Sequence, residues 1–232
     1  MNATIVAHSS PGRVTSSARH PRSRSKIAEE RPAYRPQRIS LPEGARRIFG
    51  AASIASFAGF AVFGLFTSLA PTVLSGTLHE TSRLVAGLVT FAVFAASAVS
   101  QVALAGIPQR AQLRASLGLV VGGLIALAAS VLRSDLPLFD ISGVLDGAGV
   151  GLLFKSSIAV AASLAVPDRR GEVLAAIFLI AYTGLALPAL IVGLALALLP
   201  VVPVLVTFVT VTGALMVWGG AAMLVTVGRV VR

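Results

Sequence analysis

The chain of 232 residues is 56% apolar, 12% charged and free of cysteine, whereas ordinary soluble domains run roughly 45 to 50% apolar and about 25% charged. That balance excludes a water-soluble globular domain, and the missing sulfur excludes disulfide scaffolds, thiolate-bound zinc or iron–sulfur sites and cysteine nucleophiles. A net charge of +10 raises nucleic acid as a partner, but ten of the 19 Lys and Arg residues precede Ile48, a placement that suits a membrane flank, so no nucleic-acid partner is expected.

Residues 1–47, rich in Ser, Pro and Arg, have too few apolar positions to bury a core and read as a disordered basic cytoplasmic tail and linker. Six spans follow, each meeting the requirement of about 20 mostly apolar residues for a helix crossing roughly 30 Å of hydrocarbon. They run over 48–74, 84–106, 115–132, 138–166, 173–199 and 203–228, the last two divided by Pro200 and Pro203, and 229–232 form a short C-terminus. Only helices fit, because an unpaired amide in lipid costs several kcal/mol and the alternating pattern of a barrel is missing. Pro71, Pro108, Pro137 and Pro167 fall near expected ends, whereas Pro188 should kink the fifth span.

Lys and Arg resist translocation, so their placement orients the spans. One side collects the tail with Arg110, Arg114, Arg169, Arg170, Arg229 and Arg232; the other has Arg83 and Arg133. Both termini are therefore expected in the cytoplasm, and the plasma membrane, in a bacterium the inner membrane, is the expected location. Membrane lipid is the first expected partner.

Helices in lipid associate by close backbone packing, which small residues at four-residue spacing permit. Gly143, Gly147 and Gly151, with Gly149 beside them, mark such a stripe on the fourth span, and Gly118 and Gly122 one on the third. Charges inside a span cost about 2.5 to 3.5 kcal/mol even on the lower insertion scales, and Asp146 and Lys155 on the fourth span stand out for that reason. With the core starting near Ile141, Lys155 lies about 21 Å deep and half a helical turn away from Asp146, so each needs a partner elsewhere. A functional role for Lys155 is to attract an anionic substrate or a partner's carboxylate; a structural one is to snorkel or bond backbone carbonyls. Tyr182, Gly184 and Pro188 form a second candidate site, where a broken fifth helix frees carbonyls to line a cavity.

No enzyme is expected. Gly149–Ser156 falls one glycine short of a phosphate-binding loop because Phe154 stands in its place, and no strand precedes it. His8, His20 and His79 lie in the tail or a loop, leaving no parts for a Ser–His protease or a histidine-bound metal. No cofactor and no metal are implied.

From Tyr34 onward the chain resembles the carboxy-terminal half of major facilitator superfamily transporters. The residues that carry this are Tyr34-Arg35-Pro36-Gln37-Arg38, similar to the end of a central linker, Phe57 to Phe66, similar to the first helix of the second half, and the glycine-rich fourth span followed by Pro167-Asp168-Arg169-Arg170-Gly171-Glu172. The loop Pro108 to Arg114 is similar to the family's gating loop but lacks its usual glycine and acid. The resemblance implies an all-α integral membrane protein with half of that fold. It also implies transport of a small solute by rocking two six-helix halves about a midplane site, with a separate half or a second copy as partner. The alternative is a truncated or non-transporting membrane protein that packs against partners through glycine-rich faces.

Overall fold

The computed structural model describes residues 45–76 and 80–230. The tail expected to be disordered lies outside the described residues up to position 44, as do Tyr34–Arg38, His79 and Arg232. The described chain is helical, without strands: α1 (Ala45–Gly64), a π-helical turn (Leu65–Leu69), α2 (Ala70–Gly76), α3 (Arg83–Ala103), α4 (Gln109–Arg133), α5 (Leu136–Leu164), a 3-10 turn (Pro167–Arg169), α6 (Arg170–Leu196) and α7 (Val201–Val230). Six of these stretches are long and apolar enough to cross a membrane, so the chain reads as an integral membrane protein.

The helices extend beyond the apolar runs where polar residues are good helix formers. α4 starts at Gln109 instead of near Ala115, so Arg110 and Arg114, expected in a loop, lie on its first turns. Asp140, expected at the edge of a span, sits inside α5. Pro200 ends the connection after α6, whereas Pro203 lies within the first turn of α7, where its missing N–H costs no bond.

Local chemistry fixes the turns. The Oγ of Ser82 accepts from the Val85 N–H at 3.4 Å at the start of α3, and Asp135 accepts from the Leu138 N–H at 3.0 Å at the start of α5. Ser134 ends α4 in the left-handed region (φ 52°), which lets the Asp135 N–H return to the Ser130 carbonyl at 2.9 Å. Two residues thus reverse the chain between α4 and α5.

α1 is the centre of the bundle: 72% of its apolar window is buried and 56% of that of α5, against 22% for α3, α6 and α7. Its alanines explain this, since Ala51, Ala52, Ala55, Ala58 and Ala61 are all buried and let α5, α6 and α7 approach on three sides. α5 in turn packs on α3 and α4, and α4 on α7. Gly219 lies against Ala51 and Gly220 against Leu117, while Gln109 donates to the Ser156 carbonyl at 3.5 Å. The starts of α1 and α4 and the late turns of α5 and α7 therefore share one end, the end rich in arginine.

Candidate functional site

The two charged candidates on α5 lie on different faces. Lys155, half-buried and about 14 Å along the axis from the end of α5 at Leu164, donates from Nζ to the Gln101 carbonyl at 2.9 Å. That carbonyl is in the last turn of α3 and has lost its helical donor, because the Ala105 N–H turns to Val102 instead. A cation at the negative end of a helix, satisfying an orphan acceptor, is favourable on both counts. Lys155 has no carboxylate partner among the described residues, where the one ion pair joins Arg169 to Glu172 at 3.4 Å.

Asp146 is fully buried between α5 and α4, and neither carboxyl oxygen has a hydrogen-bond partner among the described residues. It fits there because Gly123 faces it: a Cβ at that glycine would fall 2.6 Å from the carboxyl carbon. Nine residues and a half-turn difference in direction along α5 separate it from Lys155, which faces α3, and the two share no site.

Phe154, next to Lys155, belongs to an aromatic cluster drawn from four helices. Its ring lies 4.7 Å from Phe60 and 5.5 Å from Phe178, both edge-on. Phe60 also meets Phe63 at 5.6 Å and Tyr182 at 5.7 Å, and Phe63 reaches Phe94 on α3 at 4.9 Å. The cluster breaks the surface at Tyr182 (58% exposed), Phe94 (43%) and Phe178 (38%). Tyr182 is thus brought to the wall that Phe154 lines. Pro188 is not: it faces a groove between α1, α6 and α7. α6 runs on through Pro188 to Leu196, so the expected break is not present. Gly184 serves packing instead, with the Phe57 backbone occupying the space a side chain would need.

The glycine stripes divide. Gly143, Gly147 and Gly151 seat α5 on α3, against Val93 and Ser97, and Gly149 faces Val120 and Ser116 of α4. Gly118 and Gly122 face open space. Arg110 and Arg114 on α4, with Asp168, Arg169 and Arg170 around the 3-10 turn, stand at the same end of the bundle.

One feature escaped the sequence. Pro71, expected near the end of the first span, is followed by another turn of helix, and the chain accommodates it by widening into a π turn. The Ala70 N–H reaches back to the Leu65 carbonyl, which leaves the Phe66 carbonyl free to accept from Thr90 Oγ1 of α3 at 3.1 Å. Thr67 Oγ1 covers the Phe63 carbonyl at 2.8 Å. The available signal was a proline late in an apolar run with a threonine four residues before it. Beside this turn a cavity of about 650 Å³ is lined by Thr67, Ser75, Glu80, Arg83 and Thr90 among others.

No three His, Asp or Glu side chains among the described residues converge as metal ligands would. Comparison with protein-family models, with curated proteins and with solved structures returns no match.

Proposed function

We propose that the chain is a six-helix half of a major facilitator type transporter, moving a small solute by alternating access once a separate half or a second copy completes the pathway. The observation that carries this reading is Lys155, a half-buried cation inside a span, beside Phe154 and the aromatic wall that surfaces at Phe178 and Tyr182. An ionisable residue at that depth is costly and is retained for a partner or a pathway. Its single carbonyl contact uses one of three ammonium donors and leaves two for an anionic group. The arginine-rich end faces the cytoplasm of the plasma membrane in this reading, which follows from the resistance of Arg to translocation.

Proteoliposomes of the full chain, exposed on a solid-supported membrane to a panel of small organic anions, cations and sugars, provide the test. Transient currents or uptake with a member of the panel are expected, lost in Lys155→Ala and retained in Lys155→Arg. Equal flux in Lys155→Ala would overturn the proposed role of Lys155, and absence of flux with every solute would overturn the arm in which a second copy completes the pathway. A second reading, a non-transporting protein that docks partner helices, is favoured by one observation: Gly118 and Gly122 present an unfilled small-residue surface on α4. In that case cysteines placed at these positions would cross-link to another chain while no solute moves.

A further inference from the structure

α6 and α7 are joined by the short connection Ala197–Pro200, yet they touch each other little and lean separately on α1. Between them runs a groove of about 480 Å³ with Phe57, Ala58 and Ala61 of α1 as its floor and Pro188 and Pro203 on its walls. Pro188 has no N–H, so it leaves the carbonyl four residues back without its helical donor although α6 continues past it. The other wall residues are apolar apart from Thr207 and Thr212. The two hydroxyls lie about 7.5 Å apart along α7, too far for one water to join, so the groove offers no water the two to four polar partners it needs.

We propose that this groove binds one acyl chain of a membrane lipid. Its length is the first argument: the α7 wall from Pro203 to Leu215 rises about 18 Å, close to the roughly 15 Å that one leaflet contributes to the hydrocarbon core. Its shape is the second: about 480 Å³ spread along that length is a long, narrow furrow that a single flexible hydrocarbon chain can follow from end to end. The rim is the third argument. Between Leu196 and Val201 there is no charged residue, so nothing there selects a headgroup, and recognition rests on burial of the chain's methylenes at about 0.8 kcal/mol each. This site is separate from the aromatic wall and stands or falls independently of transport.

The test uses the full chain in phosphatidylcholine nanodiscs containing a small share of phosphatidylcholine with a photoactivatable diazirine on one acyl chain. After irradiation, peptide mapping should find label on Val192, Ala195, Phe208 and Val211 roughly tenfold above that on Val99 and Val102 of α3, which are exposed on the helix surface away from the grooves. Label in the groove should saturate as the photoactivatable share rises, whereas label on α3 should rise in proportion. Ala195→Trp fills the groove from a half-buried position and should remove the groove label, while Val102→Trp should leave it. Exchanging phosphatidylcholine for phosphatidylglycerol with the same chains should change nothing. Equal, unsaturable label on the groove and on α3 would overturn the proposal. So would dependence on the headgroup, or a photo-cross-link from groove positions to a second protein chain. If Ala195→Trp does not fold, the saturation curve of the unmodified chain decides.

Discussion

Gly147→Ala and Gly118→Ala add the same methyl group to glycines that look alike in sequence, and the fold assigns them opposite outcomes. At Gly147 the new Cβ would collide with the Val93 carbonyl oxygen and lie 2.9 Å from its carbon, and all three of its nearest neighbours are backbone atoms of α3. Backbone cannot rotate away as a side chain can, so α3 must separate from α5 and loosen the contacts at Gly143 and Gly151 as well. Overpacking costs about 1 to 3 kcal/mol, offset by about 1 kcal/mol that alanine gains over glycine in a helix, for a net loss of up to about 2 kcal/mol. At Gly118 nothing lies within 4 Å, so only the helix gain of about 1 kcal/mol remains. Thermal unfolding in a mild detergent, followed by circular dichroism, should show a lowered midpoint for Gly147→Ala and an unchanged or raised midpoint for Gly118→Ala. Equal shifts of the same sign would refute the α3–α5 seam.

Asp146→Asn replaces a buried carboxyl group that has no partner among the described residues with one that cannot ionise and should hold or raise the unfolding midpoint, because an ionisable group buried without a partner opposes folding; a marked fall would mean that the carboxyl group has an essential partner. Gly123→Ala should lower the midpoint through collision with that same carboxyl group, a net loss of up to about 2 kcal/mol once the helix gain of alanine is counted. Thr90→Val leaves the Phe66 carbonyl without its α3 donor and should cost about 1 to 3 kcal/mol, whereas Pro71→Ala restores an N–H and should make the loss in Thr90→Val smaller. Hydrogen exchange at Ala70 and its neighbours follows both variants.

The spans were legible because the solvent requirement is crude and strict: about 20 apolar residues are needed whatever their order. The same requirement is blind to helix that lies outside lipid, which is why the two turns from Gln109 to Arg114 read as loop and form the start of α4. It was also blind to the π turn, since Pro71 next to Leu74 reads equally well as a helix end. Faces were less legible than spans. Gly147 and Gly118 carry the same small-residue signal, yet one seats a neighbouring backbone and the other meets open space, because the signal permits close approach without naming the helix that approaches. The aromatic cluster left only a partial trace: Phe60 and Phe63 on α1, and Phe178 and Tyr182 on α6, sit at helical spacing, but nothing in the sequence joins them to Phe94 and Phe154 on two other helices. Lys155 and Asp146 were visible as unusual charges, but a helical wheel could place them only relative to each other. Their surroundings, the α3 carboxyl end and the Gly123 notch, depend on which helices stand beside α5.

The account rests on a chain threaded six times through lipid, and its lack of cysteine makes the most direct measurement clean. Single cysteines at Ala105, Ser134, Val166 and Ala197 report the connections, and at Leu124 and Leu153 the span interiors. In intact cells a membrane-impermeant maleimide should label Ser134→Cys and Ala197→Cys at once, should label Ala105→Cys and Val166→Cys only after permeabilisation, and should leave Leu124→Cys and Leu153→Cys untouched until the chain is unfolded. Rapid labelling of the two interior positions in the folded chain, or connections at opposite ends reacting from the same side, would contradict it.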